Sequence, residues 1–184
     1  PDEFAETLAV MQSTFDKAAR IAVDSPAEVL MIPENLSAEV VGRRFFEKYM
    51  RAYQEEWIRE IARAGKQSFI HMDGTLKGLI RDEASTGVGV IEAMTPAPVG
   101  DLPIDQWAAQ ADNPGTILWG GIPGGYFTSH VTDEEFDRHV QNVLLVMRSC
   151  PRYVLGVADQ VPPDCLEYRL RRVGELTEKY GRYD

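Results

Sequence analysis

Five short apolar runs punctuate this chain, and every gap between them is filled by a helical pattern. The runs lie at residues 29–32, 67–71, 88–92, 116–119 and 153–157, rich in Val, Ile, Leu and aromatic residues. Strand-helix alternation sustained along a chain predicts a parallel sheet with helices on its faces. The clearest helical pattern covers residues 38–64, where Phe45, Tyr49, Tyr53, Trp57 and Ile61 recur every four residues and Gly65 ends the run. The stripe is expected to be that helix's buried face. Thr132 and Glu135 form a capping-box signature for a helix that ends before Pro151. Further helices are predicted at 4–22, 76–83 and 166–180, the first using Leu8, Met11 and Phe15 and the last closed by Gly181.

Two architectures fit that alternation, an open doubly wound sheet and a (β/α)8 barrel. No G-x-G-x-x-G follows any strand, so a dinucleotide fold has no support. In a barrel the chemistry sits at the C-terminal ends of the strands. Here those ends read Glu34-Asn35, His71/Asp73, Glu92, Gly120-Gly121 and Asp159, and four of the five carry ionisable groups. Five βα units cannot close eight strands. The expected fold is therefore α/β, with 1–184 forming the C-terminal portion of one (β/α)8 domain and supplying about its last five units. The start at Pro1, without an initiator methionine, is expected to reflect processing or truncation.

Composition narrows the partners. The chain has 184 residues, 44% hydrophobic and 26% charged, enough for a real core. Its net charge of −10 argues against nucleic acid or an anionic membrane as a partner. No apolar stretch approaches the ~20 residues needed to span a bilayer, and no signal-peptide pattern opens the chain. Cys150 and Cys165 have no metal-type spacing and are too few for a disulfide framework, so a reduced, cytoplasmic protein is expected.

His71-Met72-Asp73-Gly74 is the most informative motif. Strand alternation puts His71 and Asp73 on one face, roughly 7 Å apart, with Ile70 and Met72 on the other. With Glu92 and Asp159 they form a candidate catalytic set at one rim. Imidazole and carboxylate ligands suit a divalent metal such as zinc with one open position, and His71, Asp73 and Asp159 are the candidate ligands. Glu92 is then a fourth ligand or a general base. In the plainer alternative the carboxylates cap neighbouring helices and His71 is a hydrogen-bonded barrel histidine. The glycine run from Gly120 to Gly125 lacks the Lys-Ser/Thr of a P-loop and reads as a flexible strand-to-helix turn. Pro162 and Pro163 make a rigid turn that fixes where Asp159 points. His130 and His139 are expected at the surface, and Cys165 is read as structural.

Taken in order, these motifs resemble the C-terminal part of the uroporphyrinogen decarboxylase superfamily, which includes the decarboxylase and the zinc-dependent, corrinoid-linked methyltransferases. The resemblance covers nearly the whole chain. It runs from Phe45-Phe46-Glu47-Lys48-Tyr49 through His71-Met72-Asp73-Gly74 and Trp119-Gly120-Gly121-Ile122-Pro123. It continues through the strand and turn from Tyr153 to Asp164, then to Lys179-Tyr180-Gly181. It implies a barrel of about twice this length, with roughly three βα units absent here. It also implies metal-assisted methyl transfer to a small-molecule substrate, with a corrinoid on a partner protein as donor. Methyltransferase members carry His-x-Cys where His71 and Asp73 stand, and a second cysteine near Asp159. The decarboxylase has a histidine at about that second place. Carboxylates in place of thiolates favour harder metals and weaken the usual thiol methylation. A second reading is metal-independent decarboxylation of a tetrapyrrole or another carboxylated substrate. There Lys77 and Arg81 are the nearest cations in sequence to the motif, although both also read as solvated helix residues. A third is a non-catalytic fragment that works through assembly, as a homo-oligomer or with another chain.

Overall fold

A computed structural model describes residues 2–183; Pro1, on which the expectation of a processed or truncated start rests, and Asp184 lie outside the described residues. Five strands form one sheet: β1 (Val29–Leu36), β2 (Gln67–Met72), β3 (Val90–Met94), β4 (Ile117–Pro123) and β5 (Tyr153–Ala158). All neighbouring pairs are parallel, and the spatial order is the sequence order, β1-β2-β3-β4-β5. A doubly wound sheet reverses its order at a switch point, whereas a barrel wall winds one way. The order therefore identifies a partial barrel and excludes the doubly wound alternative.

The helices are α1 (Asp2–Asp24), α2 (Gly42–Phe45), α3 (Arg51–Arg63), α4 (Ile80–Ala84), α5 (Trp107–Ala111), α6 (Asp133–Met147) and α7 (Tyr168–Tyr180). Leu30, Ile32, Ile70, Met72, Ile91, Leu118 and Tyr153 point toward them and form the main core with Phe46, Ile58, Leu79 and Trp107. A second cluster packs Ile122, Phe127 and Phe136 against Val140, Leu144 and Leu176. The opposite, concave face carries Val29, Met31, Phe69, Trp119 and Val154, all at least partly exposed. Among the described residues no helix is long and apolar enough to cross a membrane.

Two predicted helices change. The single helix expected at 38–64 begins only at Gly42, and a π-helical turn (Phe46–Met50) separates α2 from α3. A strict four-residue spacing drifts about 40° per step on a helix of 3.6 residues per turn, so the aromatic stripe cannot stay on one face. Phe45 is accordingly 43% exposed and packs on Phe4 and Tyr49, while Phe46, Trp57 and Ile61 are buried. The helix expected at 76–83 shortens to α4, because Gly78 takes a φ of +83° and breaks the run; Asp101 from a later loop accepts the Leu76 and Lys77 amides before it, at 2.7 and 3.2 Å.

The box at Thr132 forms as expected. Thr132 Oγ1 accepts the Glu135 amide, and Glu135 Oε2 accepts the Thr132 amide at 2.9 Å. Thr132→Ala is expected to cost about 1 kcal/mol, measured by urea unfolding. No loss would mean that water caps α6 equally well.

Candidate functional site

His71 occupies the next-to-last position of β2, on the concave side of Ile70 and Met72. In register it sits between Asn35 of β1 and Glu92 of β3. Glu92 Oε2 lies 2.9 Å from His71 Nδ1. A carboxylate accepts from Nδ1–H in this geometry, and in the neutral ring Nε2 then presents its lone pair. Nε2 faces Asp159 Oδ1 across 3.8 Å. That separation is too long for a direct hydrogen bond and too short to admit an atom between the groups, but a water or a polar atom of a substrate set to one side can reach both.

Irregular backbone builds this array. Glu92 precedes Ala93, whose φ is +66°, and the β3–β4 register shifts between Ile91 and Met94. The regular β2–β3 ladder sets Glu92 beside His71, and the bulge toward β4 follows directly after it at the sheet's rim. Asp159 follows Val157 at two-residue spacing, and Val157 points to the helix side. Plain alternation would send Asp159 the same way. Its own φ of +66° turns the carboxylate back over the concave face. Aspartate is among the few residues that tolerate this conformation, at a cost accepted mainly at functional positions.

The glycines nearby pack the rim. Gly120 and Gly121 lie inside β4 rather than in a turn, and a Cβ on Gly120 would collide with the Met94 carbonyl at the bulge. A Cβ on Gly124 would strike the Gln160 carbonyl, so bare backbone there lets the Asp159 turn settle against the end of β4.

Of the four candidates, His71, Glu92 and Asp159 converge. Asp73 follows the end of β2, where its amide donates to the Leu36 carbonyl at 3.0 Å, and no side-chain bond to the other three is found among the described residues. For a metal, the donors that fit are His71 Nε2 and Asp159, with Glu92 behind the ring in the position that orients metal-bound imidazoles. Among the described residues no group of three or more His, Cys, Asp or Glu side chains is placed to hold an ion. The donor set is thus smaller than a three-ligand centre.

At the end of β1 the expected pair was Glu34-Asn35. Pro33 interrupts the β1–β2 ladder, and the register jumps from Ile32 to Asn35. Asn35 therefore stands beside His71. Proline inside an apparent strand was the available signal for that bulge. Phe69 and Trp119, with ring centroids 6.5 Å apart, wall the concave face below the polar array. His139 is not at the surface. Its ring packs 4.5 Å from Tyr126, Nε2 lies 2.7 Å from the Gly121 carbonyl, and burial lowers its pKa. His130 is exposed, as expected, and both cysteines are free.

A family model described as uroporphyrinogen decarboxylase (URO-D) matches residues 1–180. No curated protein matches the chain. Among solved structures, a methyltransferase from Methanosarcina mazei is similar in fold, with a TM-score of 0.60 at 13% identity. The likeness covers 85% of this chain and 44% of that one, so the chain spans less than half the length of that neighbour.

Proposed function

Since the chain belongs to the uroporphyrinogen decarboxylase family, we propose that it serves an enzyme that methylates a small acceptor, with His71 handling the acceptor's proton. The observation that carries this reading is the ordered array Glu92–His71–Asp159 at one rim. Glu92 holds the imidazole by Nδ1 and supports the positive charge that forms when Nε2 takes a proton. Asp159, across the 3.8 Å gap, orients the acceptor's polar group toward Nε2. A corrinoid on a partner protein would supply the methyl group.

The concave wall suits an acceptor with an apolar body. Its residues among the five described strands are Val29, Met31, Phe69, Trp119 and Val154, all at least partly exposed. The test uses the longest natural form of the protein, methylcobalamin and a panel of amine, thiol and phenol acceptors, followed by the cobalt absorbance change. Acceptor-dependent demethylation supports the reading. Carbon dioxide release from a tetrapyrrole, without demethylation, overturns it.

A second reading places a divalent metal, zinc in the simplest case, on His71 Nε2 and Asp159, without Asp73, which is not placed to join them. The specific observation in its favour is the Glu92 hydrogen bond to Nδ1, which leaves Nε2 free as a donor. Metal content of purified protein, compared with His71→Ala and Asp159→Ala, decides it. Stoichiometric metal lost in both variants supports this reading, and metal-free active protein rejects it.

A further inference from the structure

On the helix side of the sheet, away from His71, α3 and α4 bury an amide and a carboxyl group. Gln54 of α3 and Glu83 of α4 are both fully buried. None of their four side-chain polar atoms has a partner of full hydrogen-bond geometry among the described residues, although the Gln54 amide lies near enough to Glu34, and Thr86 to Glu83, to favour the charged carboxylates. Buried polar atoms are nearly always paired, so four orphans between two packed helices require a physical cause.

Their surroundings are well defined. One turn before Gln54, Arg51 reaches Ser85 at 2.9 Å and Asp82 at 3.6 Å on α4. One turn after it, Ile58 lies against Gly87. Gln54 therefore faces α4 between these contacts. From the sheet comes Glu34, on the same side of β1 as Leu30 and Ile32. Glu34 lines a largely apolar cavity of about 410 Å³ together with Met50, Tyr53 and Trp57. Burial raises the Glu34 carboxyl above its usual range, with the Gln54 amide opposing that shift. Burial and the Glu34 charge push Glu83 up to about 8. Arg51 is the cation that opposes this, and it is already engaged by Glu47 at 2.8 Å, Glu55 at 3.4 Å, Asp82 and Ser85.

We propose that Glu34, Gln54 Oε1 and Glu83 form a buried site for an oxygen-preferring divalent cation of the calcium or magnesium type, entered through the cavity beside Glu34. Two carboxylates neutralise one such ion, and the amide oxygen adds a third ligand of the same hard type. Water in the cavity can complete the shell. The ion would tie β1, α3 and α4 together behind the sheet, in a role separate from the rim chemistry.

The probes are Ca²⁺ and Mg²⁺ alone, read by the thermal midpoint at pH 7.5, and Tb³⁺, whose emission Tyr53 and Trp57 sensitise when it binds beside Glu34. The wild type is expected to gain several degrees in millimolar Ca²⁺ or Mg²⁺ and to light Tb³⁺. Glu83→Gln and Glu34→Gln are expected to abolish both signals, and Asp159→Asn to leave both intact. Should Glu83→Gln fail to fold, Glu34→Gln at the cavity wall carries the test. A cation response that survives Glu34→Gln places the ion elsewhere and overturns the proposal. So does the absence of any response with a midpoint that falls between pH 5 and 8.5 in wild type and stays level in Glu83→Gln. That outcome means Glu83 holds a proton instead. A carboxyl whose folded pKa is raised confers stability at low pH that is lost as pH rises through the folded value.

Discussion

Replacing His71 with alanine is expected to lower kcat/KM for acceptor methylation by about 10²–10⁴-fold, the usual contribution of a positioned general base. The fold should survive, because His71 points to the concave face and only Ile70 and Met72 beside it enter the core. Exogenous imidazole should restore part of the rate, since the missing side chain leaves a space bounded by Glu92 and Asp159. Glu92→Gln keeps the size of the group but loses the charge that orients and supports the ring. Its expected loss is about 10–100-fold, the range seen when an orienting partner of a functional histidine is removed. Asp159→Asn should mainly raise KM if the carboxylate orients the acceptor. Full activity in His71→Ala would remove the imidazole from the chemistry and sink the proposed reaction with it.

How much of this array was legible depends on the periodicity behind each residue. The five strands, their parallel pairing and the Thr132 cap rest on local patterns, and all appear close to where the patterns put them. His71 could be assigned to the concave face because β2 alternates without interruption from Gln67 to Met72. Glu92 follows the same rule, since it shares the parity of Val90 and pairs in register with His71. Asp159 is different. It was found as a polar residue at a strand end, but its direction depends on left-handed backbone at Asp159 itself, which the residue type does not announce in a sequence. A bulge of two residues at Pro33 keeps the alternation of Glu34 and Asn35 and changes only which residue of β1 stands level with His71. Asp73 shows the complementary limit. Alternation predicts a side chain's face only while the strand continues, and β2 ends at Met72. The π turn after α2 and the reach of Asp101 to α4 arise from tertiary packing and have no local signature.

Arg169→Ala is expected to be the most destabilising single substitution outside the apolar core, costing about 3–5 kcal/mol. Arg169 lies on α7 and is 2% exposed, although it resembles the charged neighbours Arg171 and Arg172 in sequence. Its Nη1 donates to the carbonyls of Tyr126 and Thr128, both at 2.7 Å. Its Nη2 donates to the Val131 carbonyl at 2.7 Å and to Asp133 Oδ1 at 2.6 Å. The guanidinium also stacks over Phe136, 5.1 Å from the ring centroid. One planar fork thus satisfies three backbone carbonyls of the segment between β4 and α6. Truncation leaves those acceptors without donors, and each such loss costs roughly 1–3 kcal/mol. The salt bridge adds less, because Asp133 is 66% exposed and screened by solvent. Lysine cannot span the same acceptors with a single ammonium group, so Arg169→Lys should recover only a minor part of the loss. Arg169→Met retains the stem against Phe136 and separates packing from hydrogen bonding. A domain of this size should lose about 6–20 °C in thermal midpoint, read by circular dichroism. The effect should also reach the rim, because the clamped segment holds Phe127, whose carbonyl accepts the Leu166 amide at 2.7 Å just beyond the Asp159 turn. Arg169→Ala should therefore weaken acceptor binding at temperatures where the protein is still folded. A loss below about 1 kcal/mol in all three variants would mean that water replaces the guanidinium at these carbonyls, and Arg169 would then have no organising role at the site.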